Sequence, residues 1–388
     1  MKVLQINNVY GYGSTGKIVG QIHDYLLNHG IESHVIYSRK DPKNVNMQNV
    51  YRYYSSIGCA MHACEALLFD THGLHSSFNT KKIINKIEEI DPDIVHLHVI
   101  HGFYLNYQML FEYLKRSKRK VVWTLHDCWQ YTGYCAYYDY NECYEWENNK
   151  CINCQYRNTY PYRVLSHSKK NFEIKAKCYE GLDMVLVSCS KWLDNEISKS
   201  MLKDKKHLVI NYSVDLSKFY NEPSDIKDKY GISDKKVILA VANVWTVQKG
   251  FNEYNKLAKQ LNDDYVIVMV GLNDKQLKRI DKKIVGIKRV DINELRQWYS
   301  NAYVYLNCTL EDNYPTVNLE AKACGLPVIT YRTGGSTEMI GTNGYVVDRY
   351  ALNKVMDILN TKELIKKVEV NKNDMCEEYL KLYKKIGD

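Results

Sequence analysis

The chain has 388 residues, of which 45% are hydrophobic and 25% are charged, and its formal net charge is +8. This length predicts two domains, and this composition fits a soluble globular enzyme rather than a disordered or membrane-spanning protein. The modest positive charge permits attraction to anionic lipid or phosphorylated substrates, and we expect no nucleic-acid partner.

The sequence predicts a cytoplasmic protein. Met1–Ile6 reads as a first strand rather than as a signal peptide, and no apolar run approaches the ~20 residues of a spanning helix. Peripheral contact with the cytoplasmic face of the inner membrane is compatible with the basic run at 115–120. A solvated helix end before a strand explains that run at least as well.

Short apolar runs alternate with helical patterns along the chain, which predicts parallel sheets with helices on both faces. Two sets of strands predict an α/β architecture of two doubly wound, Rossmann-like domains facing a central cleft. We place these domains at 1–215 and 216–370, with a final helix at 371–388. The predicted strands are Val3–Asn7, His34–Tyr37, Ile94–His98, Val121–Leu125, Met184–Val187, Val237–Val241, Tyr265–Val270, Ile287–Val290, Tyr303–Asn307 and Pro327–Tyr331.

A glycine-rich loop, Gly11-Tyr-Gly-Ser-Thr-Gly-Lys17, follows the first strand. It matches the G-x-G-x-x-G of dinucleotide sites and nearly matches a phosphate loop, but Ile18 stands where Ser or Thr should ligate magnesium. Glycine lets the backbone approach a ligand, and the helix start offers amides to an anion. A tight turn that requires glycine accounts for the same residues.

Histidines lie at the ends of two neighbouring predicted strands. His96, His98 and His101 end one strand, and His126 ends the next. Ligands of doubly wound sheets gather at these carboxyl ends. No further ligand follows at metal spacing, so we expect His98 and His101 to form hydrogen bonds near an acceptor substrate rather than to bind zinc.

Twelve cysteines without a secretory signal indicate thiols or metal ligands rather than disulfides. Four of them cluster in a predicted insertion at 128–160, and only the last two have a familiar zinc spacing. A structural zinc would order this polar segment, whereas buried or idle thiols are an equal alternative. These cysteines are Cys135, Cys143, Cys151 and Cys154.

Two acids mark the second half of the chain. Asp312 falls in a turn-prone segment, and Glu320 lies in a helix predicted to begin near Thr316 and to stop at Gly325. Each acid can bind a vicinal diol, and the open amides of the helix start can hold a phosphate. Diols around a diphosphate describe a nucleotide-sugar. Two acids at this spacing also occur on solvated helices, but the loop–helix–glycine–strand context favours a site.

This segment resembles the acid-x7-acid signature of retaining glycosyltransferases of the GT-B fold, family 4, and in particular bacterial capsule, O-antigen and colanic-acid-type transferases. The resemblance runs from Tyr10 to Tyr383, with Asp312 where the family usually has glutamate. It implies that Asp312 contacts the donor sugar and Glu320 the ribose. It also implies that His126 contacts the donor sugar or its phosphate.

The resemblance assigns the donor diphosphate to Lys249, with Asn243 as a neutral substitute for an arginine that the family often has upstream. Asp312, Lys249 and His126 are thus the expected catalytic residues. The nucleotide base is expected against main chain near Val290, and the final helix against the first domain. The remaining expected donor contacts are Gly13, Thr15, Gly16, Thr316 and Val317.

The implied reaction is retaining transfer of a sugar from a nucleotide-diphosphate donor, expected to be a UDP-sugar, to a glycan or polyprenyl-linked acceptor in bacterial surface polysaccharide synthesis. No cofactor is expected for the chemistry. Three alternatives stay open: a nucleotide-sugar epimerase, a non-catalytic sugar-nucleotide-binding subunit, and a nicotinamide-cofactor reductase. The acid motif argues against the first, and the missing arginine keeps the second open.

Overall fold

The computed structural model describes residues 1–42, 45–148, 150–152, 154, 160–342, 344–368 and 374–387. They form two compact units, of which unit 1 is residues 1–211 with 373–388 and unit 2 is residues 212–372. Positions 149, 153 and 155–159 of the predicted insertion, and the first residues of the predicted final segment, lie outside the described residues.

Unit 1 is built on a seven-stranded parallel sheet with the order β3-β2-β1-β4-β5-β6-β7. Its strands are β1 Lys2–Ile6, β2 Glu32–Tyr37, β3 Val50–Arg52, β4 Ile94–Leu97, β5 Lys120–Leu125, β6 Val185–Ser188 and β7 Lys206–Val209. Its helices before unit 2 are α1 Gly13–Asn28, α2 Ser56–Phe69, α3 Ser77–Ile90, α4 Tyr107–Ser117, α5 Glu145–Asn148, α6 Ser168–Tyr179 and α7 Lys191–Ile197.

Unit 2 is built on a six-stranded parallel sheet with the order β10-β9-β8-β11-β12-β13. Its strands are β8 Lys236–Val241, β9 Tyr265–Val270, β10 Ile284–Ile287, β11 Val304–Asn307, β12 Val328–Tyr331 and β13 Gly344–Val347. Its helices are α8 Ile226–Lys229, α9 Phe251–Ala258, α10 Asp274–Leu277, α11 Ile292–Asn301, α12 Thr316–Ala323 and α13 Leu352–Thr361, with a 3-10 turn at Gly334–Met339.

The last helix, α14 Met375–Gly387, belongs to unit 1 although unit 2 separates it from the rest of that unit. Tyr379 and Tyr383 are fully buried on its inner face. The Tyr379 hydroxyl lies 2.8 Å from Oγ1 of Thr124, and the Tyr383 hydroxyl lies 2.6 Å from Nδ1 of His96. These bonds join α14 to β5 and β4, so the helix completes the interior of unit 1.

The prediction of two parallel, doubly wound sheets is confirmed. The central strands are mainly apolar and buried, which suits a sheet covered on both faces. Three strands, β3, β7 and β13, were not predicted. All three lie at sheet edges and are largely half-buried or exposed, so they lack the apolar run that identifies a central strand.

Two predicted boundaries are wrong. The strand predicted at Ile287–Val290 is β10, which spans Ile284–Ile287. The chain leaves the sheet there because α11 begins soon after, with Asp291 as its N-cap. The Asp291 carboxylate accepts hydrogen bonds from the amides of Asn293 and Glu294. The glycine-rich loop is also shorter than predicted, since α1 begins at Gly13. The predicted start of a helix at Thr316 is correct.

Among the helices that the structure describes, none combines the length and the apolar character needed to cross a membrane.

Candidate functional site

In unit 2, the loop after β8 lies against the loop after β11. Gly250 has φ +77°, and a Cβ on it would lie 2.3 Å from the carbonyl oxygen of Cys308. The amide of Leu310 donates to the carbonyl of Gln248 at 2.7 Å. Only glycine permits both this backbone conformation and this approach. The two loops therefore form one surface at the carboxyl edge of the sheet.

This surface brings Lys249 to Asp312. Nζ of Lys249 donates to Oδ2 of Asp312 at 2.5 Å, and the amide of Tyr314 donates to Oδ1 of the same carboxylate at 3.1 Å. The Lys249 side chain is 39% exposed and that of Asp312 20% exposed. The ammonium is thus held in place by the carboxylate but remains open to a ligand.

The loop after β12 packs against the loop that carries Asp312. Gly334 has φ +44°, and a Cβ on it would lie 2.0 Å from the carbonyl oxygen of Asp312. Thr333 and Ser336 are buried beside it, with their hydroxyl oxygens 2.9 Å apart. The glycine turn after β12 therefore packs directly on the loop that carries Asp312.

Asp312 lies in the loop that leads into α12. Pro315 precedes the helix and gives it no side-chain cap, so the first turn, with Thr316 and Val317 half-buried, offers amides that an anion can satisfy. One turn further, Oε2 of Glu320 accepts a hydrogen bond from the Tyr299 hydroxyl at 3.0 Å. Burial and the Glu320 charge keep the pKa of Tyr299 well above its usual value, so this phenol remains a donor.

Within the described residues, two other predicted donor residues of unit 2 form no hydrogen bond or ion pair with Lys249, Asp312 or Glu320. Asn243 is exposed in the loop after β8. Val290 is half-buried and lies beyond the end of β10 instead of within it, because that strand ends three residues earlier than predicted.

In unit 1, the glycine-rich loop is a tight turn at the start of α1. Gly11 and Gly13 both have positive φ, +63° and +66°, and the amide of Gly11 donates to the carbonyl of Gly16 at 2.9 Å. Tyr12 gives the helix no side-chain cap. Thr15 and Gly16 belong to the first turn of α1, so the loop and helix start suit an anion.

His98 and His126 form a hydrogen-bonded pair whose tautomers follow from their partners. Nε2 of Gln5 donates to the carbonyl of Val19 at 3.3 Å, so Oε1 of Gln5 accepts from Nε2 of His98 at 3.1 Å. Burial lowers the pKa of His98 well below its usual value, and the neutral ring accepts at Nδ1. Nε2 of His126, 3.0 Å away, is then the donor.

His101 pairs with a residue that was not predicted as part of the site. Its Nε2 donates to Oδ2 of Asp127 at 2.8 Å, and Oδ1 of Asp127 accepts from the amide of Trp129 at 3.0 Å. Burial opposes the charge of Asp127, but His101 and the Trp129 amide outweigh it and lower the pKa of this carboxyl. The structure therefore places a carboxylate–histidine pair beside the His98–His126 pair.

The four clustered cysteines are near one another but are not arranged as a metal site. The hydrogen bond to Cys154, burial, and the charges of Cys154, Cys143 and Cys151 raise the pKa of Cys135 well above its usual value. In the described part of the chain, however, no three His, Cys, Asp or Glu side chains are grouped to hold a metal ion. Zinc would require these thiols to close around it, and the structural zinc stays a prediction.

Sequence reasoning missed Gln5, Asp127 and Tyr299. Gln5 reads as part of a buried strand and Tyr299 as the apolar face of a helix, so neither carries a sequence signal. Asp127 directly follows His126 at the end of β5, and this strand-end position was a signal that could have identified it.

The two doubly wound parallel sheets are those of the GT-B fold, and the family models that match this chain are those of glycosyltransferases. The family model described as Glycosyltransferase Family 4 matches residues 15–218, more than half of the chain, and the model described as Glycosyl transferases group 1 matches residues 235–360. The chain belongs to glycosyltransferase family 4.

Comparison with known proteins gives a relative of similar sequence and solved structures of the same fold. A putative colanic acid biosynthesis glycosyl transferase, WcaC of Escherichia coli K12, is 22% identical over 369 residues, covering 89% of this chain and 86% of that protein. Sucrose-phosphate synthase of Thermosynechococcus elongatus aligns with a TM-score of 0.66 at 14% identity, covering 100% of this chain and 96% of that one. Anabaena HepE in complex with UDP and glucose aligns with a TM-score of 0.65 at 14% identity, covering 100% of both chains.

We predict that acid destabilises unit 1 and spares unit 2. All twelve histidines lie in unit 1. Burial lowers the pKa of His62 to about 3 and that of His126 to about 4, and it places those of His72, His96 and His98 well below the usual value. Below about pH 6.5 the unfolded chain binds protons that the native unit does not, so stability falls by up to about 1.4 kcal/mol per pH unit for each such histidine.

Hydrogen exchange with mass spectrometry, compared at about pH 7 and about pH 5 after correction for intrinsic rates, measures both units in one sample. Peptides from β4 and β5 should lose protection at the lower pH, and peptides from β11 and β12 serve as the internal control. Equal protection of β4 and β5 at both pH values would contradict the prediction.

We also predict one zinc ion per chain in protein purified under reducing conditions, held by the four clustered cysteines. Thiolates bind zinc strongly and would order their segment on binding. Elemental analysis measures the metal directly, and the quadruple Cys→Ser variant is the control. Chelation should leave UDP binding intact, since the cysteines lie outside unit 2. Zinc-free protein in which all twelve cysteines titrate as free thiols would contradict the prediction.

Proposed function

We propose that this enzyme is a retaining glycosyltransferase that moves a sugar from a UDP-sugar to a glycan or polyprenyl-linked acceptor in bacterial surface polysaccharide synthesis. One observation carries the proposal: at the carboxyl edge of the unit 2 sheet, Lys249 is bonded to Asp312, and the segment that carries Asp312 leads directly into the open start of α12 and on to Glu320.

The chemistry of each group matches one part of a nucleotide-sugar. The amides of Thr316 and Val317, with the positive end of the helix dipole, suit the diphosphate. The ammonium of Lys249 adds a full positive charge that can follow the leaving diphosphate as the glycosidic bond breaks. The Glu320 carboxylate, oriented by Tyr299, suits the ribose diol.

The pairing of Lys249 with Asp312 has a consequence for the donor. A donor phosphate must compete with the Asp312 carboxylate for the Lys249 ammonium. Donor binding therefore moves the ammonium from the carboxylate to the phosphate. Asp312, released from the lysine, is then able to accept a sugar hydroxyl. This exchange couples occupancy of the diphosphate site to preparation of the sugar site.

Retention is proposed through attack from the face that the diphosphate leaves, with a donor phosphate oxygen taking the acceptor proton. No carboxylate is assigned as a covalent nucleophile. Lys249 and the α12 dipole supply the positive charge that this leaving group requires, and no metal is assigned to the reaction. His126 is assigned to the donor sugar or its phosphate, and His98 and His101 to the acceptor.

The donor and acceptor classes rest on different support. The structure of Anabaena HepE contains UDP and glucose, which supports a UDP-sugar donor for a chain of the same fold. The name of the E. coli relative contains colanic acid biosynthesis, which supports a surface polysaccharide product. We assign the enzyme to the cytoplasm, at the cytoplasmic face of the membrane, where lipid-linked acceptors are presented.

A non-catalytic sugar-nucleotide-binding subunit is the second candidate, favoured by the aspartate at the first acid position and by Asn243 in place of an arginine. The two functions differ in one measurement. An enzyme releases UDP from its sugar donor, whereas a binding subunit retains the intact donor. A screen of nucleotide-sugars by thermal shift, followed by a UDP-release assay on the best ligand, separates them.

We predict that Glu320→Ala weakens UDP binding by ~1–3 kcal/mol, because a charge-assisted hydrogen bond is lost and the Tyr299 hydroxyl loses its acceptor. Isothermal titration calorimetry with UDP measures the change. Asp357→Ala, which removes an exposed carboxylate from α13, is the matched control and should bind UDP normally. An unchanged affinity for Glu320→Ala would remove this residue from the ribose site.

We predict that Lys249→Ala lowers the rate of UDP release about 100-fold, the scale of losing one preorganised charge donor, with a smaller effect on UDP affinity. Lys249→Arg should recover part of the rate, because the charge returns with a different head-group shape.

Lys256→Ala is the matched control for this test, since Lys256 also pairs with a carboxylate, Glu253 at 2.7 Å, but lies on the outer face of α9. Lys256→Ala should release UDP at the parent rate. If folded Lys249→Ala does so too, Lys249 is a surface residue and the diphosphate lies elsewhere.

A further inference from the structure

Helix α2 of unit 1 exposes apolar side chains to solvent, whereas an ordinary surface helix buries them. Its inner face buries only His62 and Ala66, whereas eight of its fourteen residues are exposed. The exposed positions Ile57, Met61 and Leu68 follow one helical face, together with Ala60, Cys64 and Leu67. Ile57 is 74% exposed and Met61 59% exposed. A helix that is apolar on every side normally lies in a core or against lipid.

The apolar surface extends beyond α2. The amides of Val164 and Leu165 donate to the carbonyls of Leu67 and Leu68, at 2.7 Å and 3.3 Å, which fixes this segment beside the end of the helix. Nδ1 of His62 lies 2.9 Å from the hydroxyl of Ser76, which joins α2 to the start of α3. We call this surface the α2 patch; its exposed apolar residues are Ile57, Met61, Leu67, Leu68, Phe69, Phe78, Tyr162, Val164 and Leu165.

Positive charges flank the α2 patch. Nζ of Lys82 lies 4.6 Å from the centroid of the Phe78 ring, and the exposed Lys169 and Lys170 follow the segment that holds the end of α2. The only carboxylate of α2 is Glu65, and it is paired with His75 at 2.9 Å. An apolar face with a basic rim is complementary to an anionic bilayer, which offers acyl chains below negative headgroups.

The basic run at 115–120 is a weaker candidate for such contact, because three of its five basic side chains are bonded within unit 1. Nζ of Lys115 donates to the carbonyl of Lys177 at 2.9 Å, and Arg119 pairs with Asp91 at 2.8 Å. Nζ of Lys120 donates to the carbonyl of Gly387 at 2.7 Å. The run joins the end of α4 to the start of β5, in agreement with the alternative interpretation of it as a helix end before a strand.

We propose that the α2 patch is the surface by which this enzyme binds an anionic lipid bilayer, with the apolar side chains of α2 entering the headgroup region and the flanking lysines contacting lipid phosphates. The inference deepens the proposed function and rests on it in one respect, that the acceptor is carried on a lipid.

The buried side of α2 connects this surface to the predicted acceptor residues. The ring centroid of His62 lies 6.5 Å from that of His72, which lies 5.4 Å from that of His101. His101 is bonded to Asp127 at the end of β5. Docking through α2 would therefore hold the acceptor histidines of unit 1 close to the membrane surface, where a lipid-linked glycan is presented.

The test is co-sedimentation of the full-length protein with vesicles of phosphatidylethanolamine and phosphatidylglycerol, and with vesicles of phosphatidylcholine alone. We expect binding to the anionic vesicles that weakens as salt is raised, because the lysine contacts are screened. The combined substitutions Ile57→Ser, Met61→Ser and Leu68→Ser should lower the partition coefficient at least about tenfold, since three apolar side chains no longer enter the bilayer.

The matched control is Leu216→Ser, Ile365→Ser and Val368→Ser, which removes three exposed apolar side chains from unit 2 and should leave vesicle binding unchanged. Lys169→Gln with Lys170→Gln should reduce the salt dependence. Failure of the parent to bind anionic vesicles, or equal binding by the α2 variant, would overturn the proposal. A parent dimer that the α2 variant converts to a monomer would instead assign the surface to a second copy of this chain.

UDP binding, measured by calorimetry without vesicles, separates this proposal from the proposed function. A protein that binds vesicles through α2 but does not bind or turn over nucleotide-sugars would retain the membrane surface and lose the transferase assignment. The α2 variant should bind UDP as the parent does, since the proposed UDP site lies in unit 2. Unchanged hydrogen exchange of peptides from β4 and β5 shows that its unit 1 is folded.

Discussion

The donor-site charges depend on one close approach, that of Gly250 to the carbonyl of Cys308. With any larger residue the loop after β8 would move away from the loop after β11, and Lys249 would lose Asp312. Gly334 makes a comparable approach to the carbonyl of Asp312 from the other side. Two glycines thus set the distance between three loops of the sheet edge, and the charge arrangement is a consequence of backbone packing rather than of side-chain reach.

The sequence predicts the parts of this site that are local. Asp312, Thr316 and Glu320 lie on one short segment, so the turn, the start of the helix and the spacing of these residues can be predicted from the sequence. The contact between Lys249 and Asp312 joins residues 63 positions apart, and the Tyr299–Glu320 bond joins two elements that only the tertiary fold brings together. Central strands are predicted from their apolar runs, whereas the edge strands β3, β7 and β13 are partly solvated and depend on pairing with a neighbour.

The two units use different kinds of polar group. Unit 2 contains no histidine, and its site combines a lysine, two carboxylates and helix amides. Unit 1 buries neutral rings in hydrogen-bonded pairs, in which one partner fixes the tautomer of the next, as Gln5 does for His98 and His98 for His126. Fixed charge suits an anionic leaving group, and neutral donors and acceptors suit the hydroxyls of a sugar.

The position of α14 in the chain also governs the order of folding during synthesis. Tyr379 and Tyr383 leave the ribosome only after all of unit 2 has been made, yet they supply the hydroxyls that satisfy Thr124 and His96. Until then the nascent sheet of unit 1 holds these buried polar groups without those partners, while unit 2 has every strand it needs. The domain translated first is therefore the one completed last, a reversal of the usual vectorial order.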